Sequence, residues 1–501
     1  MKLTLKFDPE FSHLRWADIH NHNEEGYGKG SLDRSYAIAK GVGLDAYAFT
    51  PHGWWHDFQQ ADDKTAAQHE GGFERVRENW EKIRAKADSE YRPGEFASLV
   101  AFEWHSSSFG DYHVLMPGSE GEVCRGSSLA ELQQYARQTG AVIIPHHLAY
   151  RQGWRGINWN TFSSDVSPVV DGFSEHGCSI EPDTHHPMIL HSMGGAERSQ
   201  TVLERYKLGL VAGVLASSDN HWGCPASYGE GLAGIYAAEL TREGVLDALR
   251  RRHTFAVTGD RLGMQFESTD GMMGDILPLA SRRNFRYHIK PCARLDYVEL
   301  IKNGHRHAIR SFPSEPQADG PIYSARLEFG WGGPADRSVT IWDVEIEIEN
   351  GEFHEVVPCF AGGGGSVEEI HAVTAFDSRR VCFHAYTARA NSRPTGSLVL
   401  RYEGNAASRL KVRMCAKWGD RIFNREFSGS NAELISGTIC QDLVNEFISP
   451  KISLSVQAAG AETLVGGEFC DNEESSPAWY LLKAQQRNGQ IAWASPIWFA
   501  A

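Results

Sequence analysis

The sequence up to about residue 260 alternates short apolar runs with amphipathic stretches, and this alternation limits the possible folds more than any other feature. The apolar runs have the length of buried strands, and the intervening stretches have the apolar spacing of helices. Candidate strands cover residues 15–20, 44–50, 96–103, 112–116, 141–145, 169–175 and 211–217. Candidate helices cover residues 32–42, 73–87, 129–139, 196–208 and 241–252, with Ser31, Ser128 and Thr241 as N-caps. This order predicts an α/β fold of parallel strands and helical crossovers, as a barrel or an open sheet.

After Thr258 the pattern changes to short alternating runs separated by Gly, Asn, Asp and Pro. Such runs cover residues 285–289, 297–302, 339–348, 381–386 and 397–402, and they predict antiparallel strands in a sandwich-like arrangement. A chain of 501 residues exceeds what one core normally covers. We therefore expect an N-terminal α/β domain over residues 1–270 and a β-rich accessory domain over residues 271–501. The glycine run at 362–365 predicts a flexible loop.

Six of the predicted strands end in, contain or are closely followed by histidine, aspartate or glutamate. These residues are His20, His22, His52, Glu103, His105, His113, His146, His147, Asp219 and His221. The carboxyl ends of parallel strands face one shared crevice, so side chains far apart in sequence would meet there. Glu103 follows four apolar residues, where an unpaired carboxylate would be costly to desolvate. The pattern predicts a metal site at this edge, made of imidazole and carboxylate ligands.

The order of these motifs resembles the PHP superfamily, named for polymerase-associated and histidinol-phosphatase domains. The resemblance covers residues 14–222, through His-x-His at His20 and His22, Thr-Pro-His ending at His52, Glu103, His113, Pro-His-His at 145–147, and Asp-x-His at Asp219 and His221. It extends to an unassigned subgroup with a C-terminal β-rich extension. The resemblance implies a distorted seven-stranded (β/α) barrel that holds two or three divalent metal ions, of Zn, Mn or Fe.

By this analogy His20, His22, Glu103 and Asp219 hold one ion, and Glu103 bridges to a second. The resemblance assigns the remaining ligand positions to His52, His113, His146 and His221. Pro51 stands where the family has aspartate, and Gly28 stands near the place of its usual third ligand. Glu25, Glu24, His56 and His69 are the alternatives for that ligand. His147 is either a further ligand or a partner of one.

Groups that contact a substrate should come from loops at the same edge. Arg151 and Arg155 follow the His146–His147 pair, where a guanidinium could fork onto a phosphate or a carboxylate. The alternative, that both are solvated surface arginines, is equally open. Glu175 and His176 end another predicted strand and are candidates for proton transfer or for contact with the leaving group. With His147 they complete the predicted catalytic set.

The formal charge of −15 would repel a phosphate backbone, which favours a small anionic substrate over long nucleic acids. The first residues do not form a signal peptide, and no stretch reaches the length of a membrane span, so we expect a cytoplasmic protein without a membrane partner. The β-rich half is open to oligomer contact, and a homo-oligomer is one possible arrangement.

Three functions are compatible with these patterns. The first is a metal-dependent phosphomonoesterase or phosphodiesterase that acts on a small organic phosphate through activated water. The second is a metal-dependent hydrolase of a carboxylic ester, lactone or amide, because metal-activated water also attacks carbonyl groups. The third is a non-catalytic metal-binding module, for which Pro51 and the missing third ligand are the evidence.

Overall fold

The helices and strands were defined in a computed structural model. It describes residues 2–58, 63–188, 195–312, 320–330, 339–363, 368–388, 393–444, 449–472 and 476–500. The α-helices are α1 (Leu32–Gly41), α2 (Asp63–Glu90), α3 (Leu129–Thr139), α4 (Val202–Lys207), α5 (Arg242–Arg250) and α6 (Asn431–Ser436). Gly364 and Gly365 of the predicted loop lie outside the described residues. Within those residues, no helix combines the length and the apolar character needed to cross a bilayer.

Helix ends follow the predicted capping chemistry. The side chains of Ser31, Ser128 and Thr241 each accept a hydrogen bond from a backbone N–H in the first turn of α1, α3 and α5. Gly140 ends α3 with a φ of 73°, a left-handed conformation that glycine adopts without steric cost. These three predicted N-caps are confirmed.

The strands of the first half are short and almost entirely buried. They are β1 (Leu14–Asp18), β2 (Ala46–Phe49), β3 (His52–Trp55), β4 (Ala97–His105), β5 (Tyr112–Met116), β6 (Val142–Pro145), β7 (Val169–Asp171), β8 (Phe173–Ser174), β9 (Gly177–Cys178), β10 (Gly213–Leu215), β11 (Leu232–Tyr236) and β12 (Thr254–Val257).

Many strands of the second half are longer, and several alternate between buried and more exposed residues. They are β13 (Gly263–Ser268), β14 (Gly271–Met272), β15 (Ile276–Pro278), β16 (Arg283–Lys290), β17 (Leu295–Lys302), β18 (His305–Ser311), β19 (Ile322–Gly330), β20 (Val339–Glu349), β21 (Glu352–Cys359), β22 (Ala372–Phe376), β23 (Arg380–Ala388), β24 (Thr395–Glu403), β25 (Arg409–Trp418), β26 (Arg421–Ser430), β27 (Ile439–Asp442), β28 (Lys451–Ala459), β29 (Val465–Asp471), β30 (Ala478–Gln486), β31 (Ile491–Ala494) and β32 (Ile497–Ala500).

The main sheet is mixed, whereas the sequence predicted parallel strands. β1, β2 and β4 are parallel neighbours, whereas β5 is antiparallel to both β4 and β6, and β11 is antiparallel to β1. Only residues 106–111 connect β4 to β5. A parallel crossover needs a dozen or more residues, so this connection can only form a hairpin.

The described strands do not close into a hydrogen-bonded barrel. The pairing order of the main sheet runs β12-β11-β1-β2-β4-β5-β6, and β7 and β10 form a separate parallel pair. β7 lies beside β6 and β10 beside β12, so this pair occupies the space between the two ends of the series. The fold is therefore a strand-rich mixed α/β arrangement. The pairing of the described strands does not confirm the predicted seven-stranded barrel.

The β-rich half contains two antiparallel five-stranded sheets, in the orders β21-β24-β19-β28-β27 and β22-β23-β20-β25-β26. Phe329 of the first sheet contacts Trp342 and Phe383 of the second, at ring-centroid distances of 5.4 and 5.1 Å. The two sheets therefore face each other across an aromatic core, as the alternating pattern predicts.

Strands from the end of the chain join the main sheet of the first half. β31 pairs with β12, and β30 connects β31 to β17 and β32. Residue 270 falls in the turn between β13 and β14. The predicted domain boundary at this position stays a prediction.

The buried carboxylate of Asp260 ties the two halves together. It accepts hydrogen bonds from Arg326 and Gln486 at 2.7 Å, from Asn488 at 2.7 Å and from Tyr228 at 3.0 Å. Burial favours its protonated form, but Arg326 and the amide donors outweigh that effect and hold its pKa below the usual range.

We expect Asp260→Ala to lower the free energy of unfolding by about 3–5 kcal/mol, because Arg326 would be left buried without its counter-charge. Denaturant unfolding measures this loss. Asp420→Asn, at an exposed position in a turn, is the matched control and should unfold like the parent chain. Equal midpoints for the two variants would contradict this role of Asp260.

Candidate metal centre

Backbone hydrogen bonds hold two ligand segments side by side just beyond β1. His22 N donates to Asn220 O and Asp219 N donates to His20 O, both at 2.9 Å. The buried carboxylate of Asp18, the last residue of β1, accepts hydrogen bonds from Ser218 Oγ at 2.6 Å and from Ala226 N at 2.8 Å. These hydrogen bonds hold the His-x-His and Asp-x-His segments next to each other.

His20, His22 and Asp219 form the first group of ligand atoms. Asp219 Oδ1 lies 3.0 Å from His22 Nε2 and 3.4 Å from His20 Nε2, and the two Nε2 atoms are 3.2 Å apart. The side chains of all three residues are at most 3% exposed. Their atoms are close enough to share one cation.

Glu103 lies at the centre of the cluster, as predicted. Its Oε2 is 3.4 Å from Nε2 of both His22 and His52, and its Oε1 is 2.8 Å from His146 Nε2. Strand pairing sets Glu103 opposite His52 on β3 and opposite His113 on β5. Each carboxylate oxygen therefore faces a different set of imidazoles, which is the arrangement that a bridging ligand needs.

Opposed charges inside this pocket control the ionisation of its carboxylates. Burial would raise the pKa of Glu103, but His105, His52 and His146 outweigh it and hold that pKa well below the usual range. Burial likewise opposes the ionisation of Asp219, and His20, His176 and His22 reverse its effect, so its pKa also lies well below the usual range. Both carboxylates are therefore ionised, as metal ligands must be.

Most of the buried imidazoles stay neutral. Burial, together with His221, lowers the pKa of His22 to about 3, and burial also places the pKa values of His52 and His113 well below the usual range. His20 differs, because Asp219, Asp171 and Glu103 outweigh its burial and raise its pKa. Neutral imidazole is the form that binds metals.

The strongest sign of a metal site is the number of buried polar atoms without a hydrogen-bond partner among the described residues. They include Nδ1 of His20, His22, His52 and His147, both ring nitrogens of His105 and His146, His113 Nε2, Glu103 Oε2 and Asp171 Oδ2. A buried polar atom left unsatisfied costs about 1–3 kcal/mol, and so many within one pocket are unusual in a folded protein. Imidazole nitrogens and carboxylate oxygens are the donors that Zn, Mn and Fe accept. The residues present thus fit one or more divalent ions.

The ligand atoms form several overlapping groups, each within 4.8 Å. Among these groups are His20, His113 and His146; His22, His52 and His221; His20, His22 and Asp219; Glu103, Asp111, His146 and His147; and His52, Glu103 and His105. The structure thus brings together the predicted ligands except Glu25. Glu25 forms an ion pair with Lys82 of α2, which competes with a metal ion for its carboxylate. Its assignment as the third ligand stays a prediction.

One edge of the cluster is open to solvent. The side chains of Glu175, His221 and His176 are 30%, 29% and 15% exposed, in contrast with the buried ligands behind them. His221 Nδ1 lies 3.1 Å from Glu175 Oε1, and His176 Nε2 lies 3.3 Å from Asp219 Oδ2. Against the effect of burial, Glu175 raises the pKa of His221 to about 9. This edge is where a substrate can reach the cluster.

The two predicted arginines occupy different environments. Arg155 is buried and donates to Asp111 at 2.6–2.7 Å, and one of its nitrogens lies 3.4 Å from His147 Nε2. Arg151 is exposed, and its guanidinium lies over the Trp154 ring at 5.0 Å. Arg155 is therefore not a solvated surface residue, whereas the exposure of Arg151 leaves both of its predicted roles open.

Three of the seven non-glycine residues with a positive φ among the described residues lie at the cluster. His147, Arg155 and Asp219 have φ values of 33°, 74° and 55°, in the left-handed region that is uncommon outside glycine. Conformations of this kind persist where the surrounding structure enforces them, and they recur at functional sites.

Three residues of the cluster, Asp111, Asp171 and Tyr27, were not predicted, and His105 was noted in the sequence pattern without a ligand role. His105 and Asp111 lie beside Glu103 and His147. Asp171 lies 3.8–3.9 Å from His113 and His20, and Tyr27 stacks on His52 at 3.6 Å. One signal could have identified Asp171, because it follows two valines where the strand ends earlier than predicted.

Comparisons with known proteins agree with the sequence motifs but establish no family. The model of a family described as a protein of unknown function (DUF3604) matches residues 42–116 and 197–277, which is less than half of the chain. The matched segments contain His52, Glu103, His113, Asp219 and His221.

Two curated relatives are uncharacterized proteins of Chlamydia. The protein of Chlamydia pneumoniae is 28% identical over 247 residues, 45% of this chain. That of Chlamydia trachomatis is 27% identical over 203 residues, 37% of this chain. The matches span only 40% and 32% of the relatives' own lengths.

One solved structure is similar, a two-domain protein from Bacteroides vulgatus that contains a predicted PHP-like metal-dependent phosphoesterase. The match is 14% identical, with a TM-score of 0.35, and it covers 60% of this chain and 82% of that one. At this TM-score the likeness does not establish a shared barrel.

We expect the purified protein to retain about one equivalent or more of a transition metal per chain, and Asp219→Ala and His22→Ala to weaken metal affinity by at least about tenfold. Elemental analysis and a metal titration measure both. His305→Ala, at an exposed position on β18, is the matched control. Both target side chains are buried, so the unfolding midpoint of the metal-free variants checks that they fold. Full metal content in either variant would remove that residue from the ligand set.

Proposed function

We propose that this protein is a metal-dependent hydrolase of a small organic phosphate ester. The observation that carries the proposal is the convergence of buried imidazoles and carboxylates around Glu103, with many of their polar atoms lacking a hydrogen-bond partner among the described residues. A purely structural core would pair these atoms with one another or replace them with apolar groups.

The residues that would hold the ions fall into overlapping sets. His20, His22 and Asp219 would hold one ion, Glu103 and His146 would hold a second together with His113, and the group of His22, His52 and His221 offers a third position. When bound, divalent ions would lower the pKa of a water molecule and would stabilise the negative charge on the attacking and leaving oxygens. The proposal therefore includes two or three divalent ions, of Zn, Mn or Fe.

Side chains at the open edge would handle protons and position the substrate. His176 contacts Asp219 on one side, and its Nδ1 lies 2.8 Å from the Tyr150 hydroxyl, so its ring orientation is fixed. Its half-buried position at the edge suits it to hold a proton for a leaving oxygen. The Glu175–His221 pair lies beside it and can orient a donor group of the substrate.

Charge favours phosphoryl over acyl transfer as the reaction. The transition state of phosphoryl transfer spreads negative charge over several oxygens, and a carboxylate-bridged group of cations complements it better than the single oxyanion of acyl transfer. The formal charge of −15 opposes long polyanions. A small phosphate ester is therefore the proposed substrate, in a cytoplasmic protein that acts on free metabolites.

We expect turnover of p-nitrophenyl phosphate or bis-p-nitrophenyl phosphate when Mn, Zn or Fe is supplied, and none after chelation. The same metals are tested with p-nitrophenyl acetate and a lactone. Metal-dependent turnover of a carboxyl substrate alone would move the protein to the carboxylic ester, lactone or amide class. Full metal content without turnover of either class would favour a binding module.

We expect Arg151→Gln to raise KM for the phosphate substrate several-fold with kcat nearly unchanged, because an exposed guanidinium contributes to binding more than to the transition state. Arg77→Gln is the control, an exposed arginine on α2 that pairs with Glu74. Arg155→Lys should lower kcat instead, because it removes the forked contact to Asp111 beside His147. Equal KM values for Arg151→Gln and Arg77→Gln would exclude Arg151 from the substrate site.

A further inference from the structure

A cavity of about 940 Å³ lies at the end of β1 opposite to the metal cluster. Its walls come from the segment before β1, from the loops that precede β2 and β4, and from two charged residues of the β-rich half, Lys290 and Glu355. Leu14, Arg15 and Trp16 at the start of β1 line it, whereas His20 and His22 follow the end of the same strand. The cavity is therefore separate from the candidate metal centre.

The residues that line this cavity carry a net positive formal charge, whereas the whole chain is negative. They include six basic and four acidic side chains, whereas the chain carries a formal charge of −15. Two of the basic residues are neutralised locally, since Lys40 pairs with Glu90 at 2.6 Å and Lys290 pairs with Glu355 at 2.9 Å. These pairs use two of the four carboxylates.

Among the described residues, the remaining cations form no close ion pair with a carboxylate, although Asp45 is near enough to Arg15 and Arg261 to interact with both. Arg261 is buried and donates to the carbonyl oxygens of Val42 and Gly43 at 2.6 and 3.1 Å. Arg92 donates only to backbone carbonyl oxygens. Nε of Arg15 is buried and lacks a hydrogen-bond partner within the described part of the chain. Arg15 and Arg92 therefore line the cavity without a side-chain counter-charge in hydrogen-bonding contact among the described residues.

Aromatic side chains line the same space. Phe7, Phe11, Trp16 and Phe96 are among the lining residues, and Phe7 is 54% exposed. Asp45 offsets part of this charge, because it lies near Arg15 and Arg261, but the six basic side chains of the lining still outnumber its four acidic ones. The cavity thus combines uncompensated positive charge with apolar walls, which is the chemistry of a site for an organic anion.

We propose that this cavity binds an organic anion with an aromatic or aliphatic body, and that the guanidinium of Arg15 contacts its acidic group. The acidic group is a carboxylate, sulfonate or phosphate, all of which accept the forked hydrogen bonds of arginine. The apolar body lies against Phe11 and Trp16. This second site is independent of the reaction at the metal cluster.

The test uses anilinonaphthalene sulfonate, an aromatic anion whose fluorescence rises on binding to an apolar surface. The full chain should bind the dye saturably. Arg15→Gln should weaken binding by about tenfold, the effect of losing one charge-assisted contact. Ser12→Trp should weaken it as well, because the exposed Ser12 side chain lines the cavity and a larger group would fill it.

Two controls separate this site from others. Arg77→Gln changes an exposed arginine far from the cavity lining, and His22→Ala changes the metal cluster, so both should bind the dye like the parent chain. Unfolding midpoints are measured for every variant, and Ser12→Trp serves as the test if Arg15→Gln does not fold. Absence of saturable binding, unchanged affinity in Ser12→Trp, or loss of binding in His22→Ala would each overturn the proposal.

Discussion

The buried carboxylate of Glu103 sets the main physical constraint on this structure. It lies on β4, is 1% exposed, and is ionised because the surrounding histidines outweigh the effect of burial on its pKa. An ion in such a position is costly unless it is paired or bound to a cation. The residues around Glu103 could hold divalent ions, and the positive charge of such ions would stabilise the ionised carboxylate further.

The frame that holds the ligands is made of polar contacts as well as apolar packing. Asp18 and Asn21 are fully buried, and both bond to the segment around Ser218 and Asn220. Such contacts are directional, so they fix the positions of His20, His22 and Asp219 more narrowly than packing alone could. The strained φ angle of Asp219 persists because these contacts surround it.

The sequence was sufficient to predict which candidate ligands lie together, but not all of the topology. Motif order and strand ends identified His20, His22, His52, Glu103 and Asp219, which the structure brings together, because each ligand closely follows or ends an apolar run that local patterning can detect. Their role as metal ligands remains a prediction. Local patterning cannot specify which strands become neighbours. The antiparallel direction of β5 and the entry of β31 into the main sheet depend on long-range pairing, so neither was predicted.

The sequence also could not predict which charged side chains pair with each other in the folded chain. Arg155 and Glu25 were both assigned to the site from their positions near a motif, yet each has a charged partner that lies far away in sequence, Asp111 for Arg155 and Lys82 for Glu25. Asp111 shows why this matters, because it also lies 3.3 Å from His105 and 3.5 Å from His147. One carboxylate thus shares its charge between an arginine and two imidazoles next to the ligand set. The guanidinium of Arg155 is therefore already paired with Asp111 and lies close to His147, and its assignment to the catalytic set stays a prediction.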